Sequence, residues 1–358
     1  MAHKGFAGWG NDLYTGRRSY RIVGRRRIWY GIATALVLLS GVLLITPGLN
    51  PGIEFRGGSE FTISGVANPD QDLAVATVQE VAPSESPRVS SVGSDGLRIQ
   101  TNRLDNAEVE TLKTDLAAAF DVSTDNISTS YIGPSWGADV SRKAITGIVV
   151  FLAFVALVMT IYFRNWRMAV AALVALFHDL VITVGVYAGV GWEVTPATVI
   201  GFLTILGYSI YDTVVVFDKV RENTADTLEQ SRYTYAEKAN LAVNQTLVRS
   251  INTSVVALLP VAAILFVGAF ILKAGTLRDI ALALFVGMAI GTFSSIFLAT
   301  PLEVSLRERE PAIKAHTAKV LAARVAAGLG DVPVEVHAAP LRAGEHLGHA
   351  AQPKRRGH

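Results

Sequence analysis

The chain has 358 residues, of which 51% are hydrophobic and 17% are charged, and its 32 Lys and Arg nearly balance its 30 Asp and Glu. A typical soluble domain carries about 25% charged residues, so this composition excludes a disordered chain and argues against an ordinary soluble enzyme. The chain contains no cysteine, which excludes disulfide scaffolds, thiol catalysis, iron–sulfur clusters and thiolate zinc sites.

The first 46 residues predict a cytoplasmic tail followed by a retained membrane anchor. Residues 1–27 carry a single acid, Asp12, against one lysine and six arginines, and such a basic flank marks the cytoplasmic side of a span. Residues 28–46 form an apolar run close to the roughly 20 residues that a spanning helix needs. Because no small-x-small cleavage site follows this run, we interpret it as an anchor rather than a signal peptide.

Residues 47–140 are predicted to form an extracytoplasmic α+β domain. This stretch contains 14 acids and 5 bases, in contrast to the basic N-terminus. Its pattern reads strand, helix, strand, strand, helix, strand, which is the order of a ferredoxin-like sandwich. The strand at 88–92 has a weak pattern, so a three-stranded sheet is the alternative. The predicted elements cover residues 60–64, 71–81, 88–92, 97–101, 106–120 and 127–132.

Five further apolar segments between residues 144 and 302 complete a polytopic α-helical membrane protein with six transmembrane helices. Between the fourth and fifth spans, Thr234 and Glu237 form a predicted capping box ahead of a short surface helix at 239–247. Residues 303–358 are predicted to be a cytoplasmic, largely disordered tail with one helix at 313–329. The five predicted spans cover residues 144–163, 168–192, 194–217, 251–272 and 280–302.

Four ionisable groups stand out because they fall inside or at the start of the predicted spans. Ionisable groups in hydrocarbon are costly and usually face a cavity, a partner or an ion route. Asp212 and Arg249 occupy compatible depths on neighbouring spans, so a movable Arg249 could switch the proton affinity of Asp212. This pair predicts a proton carrier, and the alternative is a static pair that only fixes helix packing. His178 and Asp179 lie in the third span.

Two further inferences concern the surroundings of these groups. His178 and Asp179 are adjacent, so they point about 100° apart on a helix and are not expected to face one partner. They are candidates for a second proton site or for hydrogen-bonded packing. Tyr208 lies one turn before Asp212, where its hydroxyl is predicted to orient the carboxylate.

Several segments together resemble the SecF family of bacterial protein-export membrane subunits. The resemblance rests on LTILGYSIYDTVVVFDKVREN at 203–223, NQTLVRSINTS at 244–254, GTFSSIFLATPL at 291–302, PGIEFRGG at 51–58 and IGPSWGADVSRKA at 132–144. The chain departs from the family pattern at Glu54, where Asp is usual, and at Tyr211, where Asn is usual. The motif positions that carry the match are Gly52, Glu54, Phe55, Gly57, Gly58, Gly207, Asn244, Gln245 and Thr246.

The resemblance implies that Asp212 and Arg249 match the family's transmembrane Asp and Arg, which serve proton-driven export. It implies a non-enzymatic subunit of a bacterial plasma membrane complex, with both termini cytoplasmic and a proton gradient instead of a cofactor or metal. The implied partners are SecD, the SecYEG translocon and the translocating preprotein, with YajC- and YidC-like proteins as further neighbours and no nucleic acid. ATP hydrolysis belongs to the separate motor SecA, and the chain has no phosphate-binding G-x-x-x-x-G-K-[ST] motif.

Three other functions are weighed against this one. An intramembrane aspartyl protease would use two carboxylates, but its G-x-G-D motif is absent at Asp179. An autonomous proton-coupled exporter of the resistance–nodulation–division (RND) type would need two related halves, whereas the chain supplies a single six-span half. In a structural subunit without a proton path, Asp212 and Arg249 would form only a static bond.

Overall fold

The structure is a computed structural model that describes residues 6–85, 87–93, 95–271, 275–328 and 336. In chain order its main elements are α1 (Phe6–Tyr14), α2 (Arg26–Ile45), β1 (Asn50–Pro51), α3 (Ile53–Arg56), β2 (Gly58–Ile63), α4 (Gln71–Val81), β3 (Arg88–Val92), β4 (Gly96–Thr101), α5 (Asn106–Ala119), β5 (Ile127–Ile132), α6 (Pro134–Phe163), α7 (Trp166–Val190), β6 (Glu193–Val194), α8 (Pro196–Thr224), α9 (Tyr235–Ala263), α10 (Gly275–Ser294), α11 (Thr300–Arg307) and α12 (Pro311–Ala326).

Within the described ranges, six helical segments are long and apolar enough to cross a membrane, as the sequence predicted. The third, fourth and sixth are the most enclosed, because 56%, 44% and 50% of the residues in their most apolar stretches are buried. These three segments form the centre of the bundle. The predicted end of the fifth span at Leu272 lies outside the described residues. The six segments are Val23–Ile45, Ser135–Phe163, Trp166–Val190, Pro196–Glu229, Tyr235–Val267 and Asp279–Arg307.

The fifth span differs from the prediction at its start. Thr234 and Glu237 do form the predicted capping box, but the helix they begin is α9, which continues without a break into the apolar segment. The prediction of a separate surface helix at 239–247 is therefore wrong. The reason is that no Gly or Pro interrupts residues 235–259, so nothing in the backbone ends the helix before the membrane.

Residues 50–132 form a compact unit, here called the sheet domain. Its four strands are antiparallel in the order β3-β4-β2-β5, which is the ferredoxin-like arrangement. β3 pairs with β4 along its whole length, so the three-stranded alternative is wrong. One face of the sheet packs on α4 and α5 around buried side chains such as Phe61, Ile99 and Leu116. Successive side chains of a strand point to opposite faces, so burial of one face explains the alternating pattern of the strands in the sequence.

A parallel pair of two-residue strands attaches the sheet domain to the bundle. Asn50 and Pro51 of β1 face Glu193 and Val194 of β6, which lies in the loop between the third and fourth spans. Within the sheet domain, Gly57 and Gly58 form the turn from α3 into β2, and their φ angles of 79° and 145° favour glycine. A Cβ on Gly58 would also collide with the carbonyl oxygen of Thr101.

The bundle has two ends, which we call the sheet side and the terminal side. The terminal side carries α1 and α12. α12 has buried side chains, among them Ile313 and Val320, and Arg324 forms a buried ion pair with Glu237 of α9 at 2.7 Å. α12 corresponds to the one helix predicted in this tail, at 313–329, whereas the part of α11 from residue 303 onward falls where disorder was predicted. Residues 329–335 and 337–358 lie outside the described ranges.

Candidate functional site

Asp212 lies midway along α8, and its carboxylate is enclosed by three helices. The residue is only 3% exposed. The Ser250 hydroxyl of α9 donates a hydrogen bond to Oδ1 at 2.8 Å, and the Ser295 hydroxyl donates to Oδ2 at 2.5 Å. Within the described part of the chain, both carboxylate oxygens are thus held by hydroxyl groups, and no cation is paired with them.

Arg249 does not form the predicted contact with Asp212. It precedes Ser250 on α9, but its side chain is exposed, and the described residues provide it with no ion pair. The two residues lie at a similar depth, as predicted, but the guanidinium points away from the carboxylate because adjacent helix positions are about 100° apart. Tyr211, beside Asp212 on α8, is 52% exposed, so this departure from the family pattern lies on the outer surface and not in the carboxylate pocket.

Tyr208 joins a chain of hydroxyl groups next to Asp212 instead of binding the carboxylate directly. Its hydroxyl donates to Ser254 Oγ at 3.2 Å, and the Thr292 hydroxyl of α10 donates to the same oxygen at 2.6 Å. Ser254 lies one helical turn after Ser250 on α9. Tyr208 therefore does not make the predicted hydrogen bond to the Asp212 carboxylate.

Asp179 forms a second buried carboxylate site, between α7, α8 and α10. It is fully buried, and its Oδ2 accepts hydrogen bonds from the hydroxyls of Ser209 at 2.6 Å and Ser294 at 2.8 Å. His178 Nδ1 lies 3.0 Å from its Oδ1. Among the described residues the two side chains share no third hydrogen-bond partner, but the imidazole ring reaches back along the helix surface to its neighbour's carboxylate.

The sixth span widens into a π-helical turn over Ser295–Ala299 where it passes the two carboxylates. Such turns are rare and are frequent at functional sites. At its start, Ser294 donates a hydrogen bond to Asp179 and Ser295 donates one to Asp212. These serines were not predicted as site residues from the sequence. The feature that could have indicated them is a pair of adjacent hydroxyl residues inside an otherwise apolar motif.

Glu303 is a third buried carboxylate and was also missed. It lies just beyond the predicted end of the sixth span and is fully buried on the terminal side. The Tyr235 hydroxyl donates to its Oε1 at 2.6 Å, and Arg307 Nε lies 3.8 Å from the same oxygen. Its Oε2 has no hydrogen-bond partner among the described residues. A charged residue at the end of a span usually faces water, but Glu303 does not, because α11 is covered by α7 and α9.

The glycine-rich motif after the first span positions another carboxylate on the sheet side. Gly52 packs so closely that a Cβ there would meet the carboxylates of Glu54 and Glu193. Burial raises the pKa of the Glu54 carboxyl above its ordinary value, and the negative charges of Glu193 and Glu60 act in the same direction, whereas Arg98 opposes them. Phe55 packs against the apolar cluster around Tyr187.

The motif that begins at Asn244 ties the N-terminal segment to α9. Asn244 is fully buried; its amide oxygen accepts from the Tyr20 backbone N–H at 2.7 Å, and its amide nitrogen donates to the Tyr20 carbonyl at 2.9 Å. Gln245 donates to the Tyr14 carbonyl at 2.9 Å. Thr246 bonds only within its own helix, to the Ala242 carbonyl. At Gly207 a Cβ would meet no atom within 4 Å.

These contacts limit the chemistry that the site can perform. Hydroxyl groups both donate and accept hydrogen bonds, so they can hold a carboxyl group in its charged or its neutral form. Asp179 and Asp212 have separate hydroxyl partners and therefore do not form a pair that shares one proton. No group of three or more His, Asp or Glu residues suited to a metal occurs within the described ranges. The arrangement is suited to binding and releasing protons.

Two family profiles match the chain. Residues 111–309 match the family described as protein export membrane protein SecD/SecF, C-terminal, and residues 42–64 match the SecD/SecF GG motif. The first match covers spans two to six, including all of α11, and the end of the sheet domain from residue 111, and the second covers the connection from the first span to the sheet domain.

Named relatives and a solved structure agree with these profiles. The chain is 50% identical over 316 residues to protein translocase subunit SecF of Streptomyces coelicolor, covering 88% of this chain and 84% of that protein. It is 43% identical to protein translocase subunit SecF of Mycobacterium tuberculosis, covering 87% and 72%. A crystal structure of SecDF, a translocon-associated membrane protein from Thermus thermophilus, aligns with a TM-score of 0.71 at 30% identity, covering 82% of this chain and 39% of that one.

Proposed function

Because the chain belongs to the SecD/SecF family of protein export membrane proteins, we propose that it is a SecF-type translocase subunit that couples proton movement to the late stage of preprotein export. The observation that carries the proton role is the enclosure of Asp212 by hydroxyl donors from two other spans. Hydroxyl groups can hold a carboxyl group in either protonation state, which a group that takes up and releases protons requires.

Protonation of Asp212 would act on the packing of three spans. A charged carboxylate accepts hydrogen bonds from both Ser250 and Ser295, whereas the neutral acid must itself donate one, so the hydrogen bonds to α9 and the sixth span rearrange. One elementary charge crossing 100 mV supplies about 2.3 kcal/mol, which is enough to bias such a rearrangement. Motion of α8 would reach the sheet domain through β6, which immediately precedes it and pairs with β1.

A SecD-type partner is supported by the position of Arg249. Ionisable groups that face hydrocarbon are costly and usually have a partner. Arg249 is exposed and precedes Ser250, which binds Asp212, so its guanidinium is available to a neighbouring protein. A partner span carrying a carboxylate would compensate the guanidinium. The SecDF chain of the solved structure, of which this chain spans 39%, is long enough to contain such a second half.

The wider assembly follows from the same proposal. The partners would be SecD, the SecYEG channel and the emerging preprotein, with YajC- and YidC-like proteins nearby. The complex would lie in the bacterial plasma membrane with both termini in the cytoplasm, which places the sheet domain outside. The energy source would be the proton gradient, without a cofactor and without catalysis by this chain. The separate partners of Asp179 and Asp212 speak against an aspartyl protease.

The test is export of a reporter preprotein into inverted membrane vesicles that contain this subunit, its SecD partner, SecYEG and SecA. We expect Asp212→Asn and Arg249→Met to abolish the part of translocation that an imposed proton gradient stimulates, while ATP-driven initiation continues. Asp218→Asn, an exposed carboxylate on the same helix, is the matched control and should leave that part unchanged. If Asp212→Asn and Arg249→Met both kept full gradient stimulation, the subunit would be structural.

A further inference from the structure

We propose that the N-terminal segment, residues 6–25, is a gate that closes the Asp212 site toward the terminal side of the bundle. This inference rests on the proposed proton role of Asp212 and adds the element that controls proton release. The closing side chains are Leu13 and Ile22, which are contributed by the N-terminal segment rather than by the spans.

An apolar layer lies one helical turn from Asp212 on the terminal side. Val216 follows Asp212 by four residues on α8, and Leu247 precedes Ser250 by three residues on α9, so each lies about 4.5–6 Å along its helix axis from the site. Ile296 follows Ser295 on the sixth span. These three side chains belong to one buried cluster. The layer separates the carboxylate from the terminal side.

Leu13 and Ile22 complete this layer. Leu13 of α1 is fully buried and Ile22 is 3% exposed, and both belong to the cluster that contains Val216 and Leu247. α1 fits closely on the fifth span, because a Cβ on Gly10 would contact the side chain of Val248 at 3.4 Å. Apolar constrictions exclude water, and proton transfer over this distance needs water or hydroxyl groups. While Leu13 occupies the apolar layer, protons cannot pass from Asp212 to the terminal side.

The segment is held in a way that permits release. Its polar attachments to α9 are side-chain amide hydrogen bonds: Asn240 accepts from the Val23 N–H at 3.1 Å, Asn244 binds both backbone groups of Tyr20, and Gln245 donates to the Tyr14 carbonyl. A cavity of about 390 Å³ lies beside it, between residues 19–24, the start of α9 and α12. The segment therefore has discrete hydrogen bonds that can break, and its residues 19–24 have open space beside them.

The absence of cysteine allows a direct test by thiol accessibility in the full-length subunit assembled with its SecD partner. Val216→Cys places a thiol in the layer, and a membrane-impermeant maleimide is added to the cytoplasmic face of inverted vesicles. We expect Val216→Cys to be protected while Leu13 is present, and Leu13→Asp to accelerate its labelling about tenfold or more by expelling α1 from the layer. Lys319→Cys, on the exposed face of α12, should be labelled equally in both.

Asn11→Asp supplies the matched control, since it adds the same charge on an exposed position of α1 and should leave Val216→Cys protected. Leu13→Ala, which adds no charge, should give an intermediate rate and guards against misfolding of the aspartate variant. Labelling that is fast with Leu13 present, or unchanged by both Leu13 substitutions, overturns the gate. Because labelling does not require export, a failure of Asp212→Asn to affect export would refute the proton role and leave this result intact.

Discussion

Ser294 and Ser295 are neighbours in the chain, but their hydroxyls donate to two different buried carboxylates, Asp179 at 2.8 Å and Asp212 at 2.5 Å. The backbone of the sixth span thus connects the two sites, and it does so where the helix begins its π turn. A change in the charge of either carboxylate therefore acts on the same short segment of backbone.

This relationship predicts a cost for removing either hydroxyl. Ser294→Ala and Ser295→Ala should each lower the free energy of unfolding by about 1–3 kcal/mol, because a buried charged or polar acceptor loses a hydrogen bond. Thr160→Ala is the control, since its exposed hydroxyl bonds only to its own helix, at the Ala156 carbonyl. Thermal unfolding of the purified subunit measures the difference. Equal midpoints for all three variants would contradict the role of the serines.

A pH dependence follows from Glu54, whose carboxyl has a raised pKa in the folded protein because it is buried near Glu193. Between its ordinary pKa of 4.5 and the raised value, the folded state binds more protons than the unfolded state, so stability falls as the pH rises through this window. Glu54→Gln should flatten that part of the profile of unfolding temperature against pH. Glu80→Gln, an exposed acid on α4, should leave the slope as it is.

The attachment of the N-terminal segment predicts a protease phenotype. Asn244→Ala removes both hydrogen bonds to the Tyr20 backbone and should cost about 1–3 kcal/mol of local stability, because the freed groups lie in a part-buried site. Trypsin added to the purified subunit should then cut at Arg17 and Arg18 faster than in the unmodified chain. Asn252→Ala, an exposed asparagine on the same helix, is expected to show the unmodified rate.

Glu303 predicts a difference between two substitutions at one position. Glu303→Ala leaves the buried Tyr235 hydroxyl without its acceptor and should destabilise the protein by about 1–3 kcal/mol, whereas Glu303→Gln retains an acceptor and should cost less. Glu222→Ala, whose side chain is 66% exposed, is the control. Denaturation of the purified protein would reveal the order, and a loss with Gln as large as that with Ala would mean that the charge itself is required.

The spans and the sheet domain could be predicted from the sequence because each depends on a local pattern. Hydropathy over about 20 residues identifies a span whatever its neighbours are, and the alternation at Phe61 and Ile63 identifies a strand with one buried face. The end of the fourth span was less predictable, since α8 continues to Thr224 with polar residues that lie beyond the apolar run. Such boundaries depend on tertiary contacts.

The candidate site was predictable in its carboxylates and not in their partners. Asp179 and Asp212 stand out because charge is rare inside a span, whereas a serine among apolar residues does not. The outward rotation of Arg249 could not be derived, because it depends on how α9 is turned against α8. The N-terminal segment carried no apolar run of its own, so its close packing on α9 through Leu13 was also beyond the sequence pattern.

The outward-facing Arg249 has a consequence for the biogenesis of this subunit. A newly inserted copy without the proposed partner would leave this guanidinium without a protein neighbour, and unpaired charges beside hydrocarbon are costly. The solitary chain would therefore be less stable in the bilayer than the assembled one, and expression of the subunit alone is expected to give a lower yield than co-expression with its partner.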